Sequence, residues 1–536
     1  MCGCLLLYLK KGEYVDLTNI NQIEHAGSST RKEIMRVGLA LIFMIAVMLY
    51  VGNTTEPVPH HYLLIIAAFI GGYMALNIGA NDVANNVGPA VGSQALTMTG
   101  AIIIAAVFEA SGALIAGGDV VSTIKDSIID PAMLKDTATF IWLMMGALLA
   151  AAIWLNIATA FNAPVSTTHS IVGAVLGAGI AAGGFDIADW SVMGKIAASW
   201  VISPIMGGII AAAFLYLIKR TITYQEDMLQ AAAKIVPLLI AAMVWVFSTY
   251  LIMKGLKQLW KVEFLPASSI ALALAVTVYL VVKPMISKAA LKMDQSKASI
   301  NSLFTLPLIF SAALLSFAHG ANDVANAVGP LAAINDAIFS GGVVSKASIP
   351  VWVMMVGAFG ISIGLALYGP KLIRTVGSEI TELDKMRAFC IAMSAAFTVI
   401  VASQLGLPVS STHIAVGAVF GVGFLREYLK HSDAKRIEEI KAHHEHDAPE
   451  IVDEFLRNFK KASIERKGQM LKELKQAKAL SPLTKKERKS LKKVYRKQLV
   501  KRSHIYKIAA AWIITVPLSG VLGGLLFFTI RGMLLP

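Results

Sequence analysis

The chain alternates long apolar runs with short polar interruptions. The runs are Val37–Val51, Tyr62–Ile78, Ala101–Gly118, Thr139–Phe161, Lys195–Ile218, Ile235–Met253, Ser268–Val282, Leu303–Ala318, Trp352–Tyr368, Arg387–Leu405 and Lys507–Ile530. Several of them approach or exceed the roughly 20 residues a helix needs to cross a bilayer. They are continuous rather than alternating residue by residue, which argues against a transmembrane barrel. The pattern predicts an all-α polytopic membrane protein.

Two of the interruptions are the same. Gly79-Ala80-Asn81-Asp82-Val83-Ala84-Asn85 returns unchanged as Gly320-Ala321-Asn322-Asp323-Val324-Ala325-Asn326, and Val87-Gly88-Pro89 returns as Val328-Gly329-Pro330. A match of this length indicates an internal duplication. An Asp and two Asn within apolar sequence are costly in lipid unless they face a cavity or an ion. Paired interruptions in two halves of a membrane chain point to a transport site. The glycines and Pro89 predict that the helix is interrupted at those residues.

A second pair follows, Pro164-Val165-Ser166-Thr167-Thr168-His169 and Pro408-Val409-Ser410-Ser411-Thr412-His413, each leading into a Gly- and Ala-rich run. Small residues let membrane helices approach closely. Lys507–Trp512 also repeats the pattern of Lys195–Trp200. The spacing between copies is 241 at Gly79/Gly320 and 244 at Pro164/Pro408, then 312 at Trp200/Trp512, so 68 extra residues enter the second copy. The resulting organisation is an N-terminal arm with an extra helix (1–61), repeat 1 (62–218), linker helices (219–299), the first part of repeat 2 (300–425), an insertion (426–503) and the last helix of repeat 2 (504–536).

Composition agrees, with 56% hydrophobic residues in 536. The net charge of +14 would suggest nucleic acid or an acidic surface, but residues 426–503 hold 23 Lys/Arg against 12 Asp/Glu and so carry +11 of it. The charge belongs to one insertion, in which the spacing of apolar residues predicts a helix over 448–480, and no nucleic-acid partner is expected. Arg31, Lys32 and Arg36 precede the first run and the loop 52–61 lacks Lys and Arg, which places the N-terminus in the cytoplasm, and the insertion's own positive charge places it there too. Cys2, Cys4 and Cys390 make no disulfide framework.

The interruptions carry the chemistry. Pro suits the first turn of a helix, and the hydroxyls and free N–H groups beside it favour an anion. Two such ends facing each other would cage one tetrahedral oxyanion. Asn81 and Asn85 share a helical face with Asp82 nearby, and carboxylate, amide oxygen and opened carbonyls are hard ligands that suit a small cation. Neither pair of motifs holds Lys or Arg, so a cation must enter with the anion. Glu109 adds a carboxylate to an apolar helix, and Ile361 stands at its place in the second copy. No nucleophile, paired acid and base or nucleotide loop appears, so an enzyme is not expected.

These four motifs, in this order, resemble the signatures of the inorganic phosphate transporter (PiT) family, in its sodium/phosphate symporter branch. The resemblance covers most of 62–424 and 507–530. It implies two inverted repeats with discontinuous helices, a homodimer in the plasma (inner) membrane, and symport of phosphate with sodium or protons, without a cofactor. It further implies that Asn81, Asp82, Asn322, Asp323 and Glu109 serve sodium. Phosphate would fall to Ser166, Thr167, Thr168, Ser410, Ser411 and Thr412, with Asp82, Asp323, Asn85 and Asn326. The resemblance also implies a second Glu, carried by many sodium-coupled relatives in the helix before the second Pro motif, and that place looks like Ala392 here. Alternative functions are a proton-coupled phosphate or sulfate permease of the same fold, or a phosphate sensor with the basic loop as its output.

Overall fold

The computed structural model describes residues 17–134, 136–161, 165–255, 262–340, 349–378, 383–443, 458 and 502–534. Cys2, Cys4, Pro164 and most of the 426–503 insertion, with its expected 448–480 helix, lie outside the described residues.

The first half runs through α1 (Leu17–Thr54), α2 (His61–Asn81), α3 (Ala84–Gly92), α4 (Met98–Ala116), α5 (Gly118–Asp126), α6 (Thr137–Ala160), α7 (Thr167–Gly183) and α8 (Trp190–Ile218). Then come α9 (Met228–Gly255), α10 (Phe264–Ala290) and α11 (Lys297–Leu303). The second half continues through α12 (Thr305–Asp323), α13 (Ala325–Ser340), α14 (Val351–Ser378), α15 (Lys385–Gln404), α16 (Ser411–His443) and α17 (Arg502–Leu534). Among the described residues there is no strand, and eleven segments are long and apolar enough to cross a bilayer.

Short polar residues start several of these helices. The side chains of Thr97, Asp136, Asp189 and Asp384 accept from the backbone N–H three residues on, at the heads of α4, α6, α8 and α15. Each satisfies a donor that the first helical turn leaves free. The first helix is longer than the apolar run Val37–Val51, because the polar residues before it continue the same helix.

The α2–α3 and α12–α13 segments are the centre of the bundle, with 78% and 89% of their most apolar windows buried, against 22% for α10. Leu265, Leu272, Leu280 and Val281 of α10 and Val201, Ile205 and Ile209 of α8 are exposed. Exposed apolar rows on membrane helices are the surface that lipid covers.

The halves are interwoven. The α2 helix packs on α14 while α12 packs on α4, and α7 packs on α17 while α16 packs on α8. Each contact joins a helix of one half to a helix of the other. Glycines set these crossings. A Cβ on Gly79 would meet the backbone oxygen of Ile361, and one on Gly320 would meet that of Glu109. In the same way Gly417 lies against Pro204, Gly421 against Gly208, and Gly177 against Gly520.

This corrects the expected place of the first interruption. Gly79, Gly88 and Pro89 all lie inside helices. The break is at Asp82-Val83, where Asn85 and Asn86 bond to the carbonyls three residues back instead of four. In the second half the break is Val324. Gly79 is there for close helix approach, and Pro89 forfeits one ladder bond in a short buried helix.

A buried ion pair joins α5 to α13, between Lys125 and Asp336. Lys254 of α9 pairs with Asp119 at the start of α5. Short α5 is therefore held by both neighbours, and Thr123 Oγ1 donates to Gly406 O at 2.7 Å beside the second Ser/Thr motif.

Candidate functional site

The α7 and α16 helices begin at matching places. Ser166 is the N-cap of α7 and accepts from His169 N–H at 3.1 Å; Ser410 accepts from His413 N–H at 3.2 Å. Thr167 and Thr168, and Ser411 and Thr412, therefore occupy first helical turns. Pro408 stands two residues before the cap rather than in the first turn, because the capping position is taken by Ser410, whose hydroxyl oxygen accepts the first-turn N–H that Pro could not.

The first Asn of each motif anchors the Ser/Thr end of its own half. Asn81 Oδ1 accepts from Val165 N–H at 3.3 Å and its Nδ2 donates to Thr159 Oγ1 at 2.9 Å. Asn322 Oδ1 accepts from Val409 N–H at 3.3 Å and its Nδ2 donates to Ser403 Oγ at 3.0 Å.

The last Asn of each motif crosses to the other half. Asn85 Nδ2 donates to Thr412 Oγ1 at 2.8 Å. Asn326 Nδ2 donates to Thr167 Oγ1 at 2.9 Å and to Thr168 Oγ1 at 3.2 Å. The position of an Asn within the seven-residue motif thus decides whether it ties its own half or bridges the two.

The aspartates meet where these bridges converge. Asp82 accepts from Thr167 Oγ1 at 2.6 Å and from Thr412 Oγ1 at 2.9 Å. Asp323 Oδ2 accepts from Ser411 Oγ at 3.2 Å and lies 3.5 Å from Thr167 Oγ1. All of these side chains are buried. Two carboxylates, amide groups and hydroxyls from both halves share one water-excluded place. Among the described residues, no Lys or Arg bonds to Asp82, Asp323 or Glu109. Asp82 and Asp323 each bring a carboxylate oxygen within 4.8 Å of the other, a pair of hard donors suited to a cation, and His319 stands within the same distance.

Glu109 joins the edge of this cluster. Its Oε1 accepts from Asn86 Nδ2 at 2.7 Å, and its Oε2 lies 2.7 Å from His319 Nδ1. Both oxygens already have partners on α3 and α12. Ala392 is fully buried.

All thirteen residues expected at the sites fall in or beside this one cluster. Sequence reasoning missed His319 and Asn86. A residue-by-residue comparison of the copies exposes both: Ile78 stands where His319 does, and Ala327 where Asn86 does. His169 and His413 pack ring to ring with centroids 4.3 Å apart, and His169 also packs on Trp200 at 3.8 Å.

Comparison with known proteins points the same way. A model of the phosphate transporter family matches residues 78–523. A protein of Helicobacter pylori (strain J99) assigned as a phosphate permease is 53% identical over 524 residues, covering 96% of this chain and 98% of that one. One of Pyrococcus furiosus with the same assignment is 40% identical over 365 residues, 68% of this chain and 88% of its own. A solved structure described as the sodium-dependent phosphate transporter is 29% identical with a TM-score of 0.72, covering 88% of this chain and 100% of that chain.

Proposed function

The chain belongs to the phosphate transporter family, and from that premise we propose that it carries inorganic phosphate across the plasma membrane together with sodium, by alternating access. Membership makes it a transport protein and not an enzyme. Sodium is supported by the similarity to a solved sodium-dependent phosphate transporter and by the oxygen-rich surroundings of Asp82 and Asp323, which hold no Lys or Arg among the described residues.

One observation carries the reading. The hydroxyls of Thr167, Ser411 and Thr412, which an anion between the two helix ends would need, donate to the two aspartates. Carboxylates and phosphate therefore compete for the same donors. A sodium ion at Asp82 or Asp323, with Asn81, Asn322 and Glu109 close by, draws the carboxylate charge to itself. The hydroxyls are then free to turn to phosphate oxygens. Ser166, Thr168, Ser410, Asn85 and Asn326 complete the anion's surroundings, and the helix ends favour its charge. Cation first and anion second follows from electrostatics, since phosphate beside two buried carboxylates that share a single imidazole is disfavoured.

In this proposal one bundle of helices moves against the rest, and the repeats 62–218 and 300–425 with 504–536 are inverted relative to each other. The linker 219–299 is scaffold, and the N-terminus and 426–503 face the cytoplasm. The same reading includes a homodimer.

Labelled phosphate uptake into proteoliposomes tests it. A sodium gradient is expected to drive accumulation. Equal uptake on a proton gradient alone would remove sodium from the proposal, and equal competition by sulfate would remove phosphate selectivity.

A further inference from the structure

The two halves are alike around the aspartates and unlike one turn away. Where α4 crosses α12, Asn86, Glu109 and His319 form a connected row. Asn86 Nδ2 donates to Glu109 Oε1 at 2.7 Å, Glu109 Oε2 is 2.7 Å from His319 Nδ1, and His319 Nε2 is 2.9 Å from Asp323 Oδ2. At the duplicated positions stand Ala327, Ile361 and Ile78, all buried and all apolar. Three polar residues at one crossing thus match three apolar residues at the other. Asp82, in the first half, is held by hydroxyl donors, whereas Asp323 also has an imidazole against its Oδ2.

Burying three extra polar side chains in a membrane protein is costly unless each one is partnered. Here Asn86 Nδ2, both Glu109 oxygens and His319 Nδ1 are hydrogen-bonded, His319 Nε2 stands at ion-pair distance from Asp323, and the row ends on that site aspartate. Backbone contact fixes its geometry, because Gly320 lies against Glu109 and Gly112 against Phe317 with no room for a Cβ at either. Helices held this close keep Glu109 and His319 at a set distance.

We propose that His319 is a positioning residue that ties Glu109 to Asp323, so that Glu109 acts on the cation site of the second half through the imidazole and makes the two aspartates unequal. The inference rests on the reading of Asp323 as a cation ligand. It assigns Asn86 the task of holding Glu109 in turn. Groups that orient a ligand without touching the ion typically change metal affinity by about 10- to 100-fold when removed.

The test is phosphate uptake by the full chain in proteoliposomes, measured against external sodium for wild type, Glu109→Gln, His319→Asn and the double variant. Each single substitution is expected to raise the sodium concentration for half-maximal uptake about tenfold, at the lower end for such orienting groups. The double variant is expected to be no worse than either single one, since residues acting as one unit are not additive. The phosphate KM at saturating sodium should stay near the wild-type value, which a general structural defect would not allow. His319→Gln, which keeps one amide donor, should recover part of the sodium affinity. Glu109→Asp retains the charge but shortens the reach to His319, and should behave like Glu109→Gln even if the His319 variants fail to fold. A double variant that multiplies the two losses, or a Glu109→Asp that matches wild type, would overturn the link. Wild-type uptake indifferent to sodium would overturn the coupling proposal as well, so the two failures are distinguishable.

Discussion

Thr412 donates to Asp82 at 2.9 Å although 330 residues separate them in the chain. Asn85, three residues after Asp82, donates to the same hydroxyl at 2.8 Å. A single Thr of the second half therefore touches two residues of the first motif. This crossing makes one site from two copies, and it ranks the residues by how much each connects.

Asp82→Asn removes a charged acceptor from Thr167 and Thr412 and a charge that a cation would need. Phosphate uptake is expected to fall by about 10- to 100-fold, the worth of a hydrogen bond to a charged group. The remaining uptake should depend less on sodium. Initial rates at a range of sodium concentrations check both parts.

Thr167 should matter more than Thr412. Its hydroxyl donates to Asp82, lies near Asp323 and accepts from Asn326, whereas Thr412 serves Asp82 and Asn85. Thr167→Val keeps the shape and is expected to raise the phosphate KM by about tenfold, with a smaller rise for Thr412→Val. Equal effects would count against Thr167 as the shared hydroxyl.

Gly320→Ala is expected to destabilise the protein by about 1–3 kcal/mol or more, the cost of overpacking a close contact. The added Cβ would meet the backbone of Glu109, which cannot yield as a side chain end does. Gly38→Ala has nothing within 4 Å and should be neutral or slightly stabilising. Thermal unfolding in detergent compares the two.

Lys125→Met leaves Asp336 buried without its cation. A loss of about 3 kcal/mol is expected, as for other broken buried pairs. Lys125→Met with Asp336→Leu should recover most of it, because a well-packed apolar pair replaces an ion pair at little net cost. The same unfolding measurement decides, and a double variant as unstable as the single one would contradict the argument.

The chain's own pattern was enough for the class of fold and for the addresses of the site. Long continuous apolar runs in a chain of this composition read as membrane helices, and a duplicated Asn-Asp motif in apolar sequence has few uses other than an ion or a cavity. The 68-residue jump in spacing located the insertion without any structure.

What sequence could not supply was which residue meets which. Asn81 and Asn85 are the same residue type in the same motif, yet one ties its own half and the other crosses to Thr412. That division depends on which helix faces are turned together, and spacing along one chain does not contain it. The glycines read as helix breaks proved to be contact points, because the need for a small residue at Gly79 comes from Ile361, 282 residues away. His319 was invisible as a partner of Glu109 for the same reason: helix periodicity fixes a face, but only the crossing of α4 and α12 brings the two side chains within 2.7 Å.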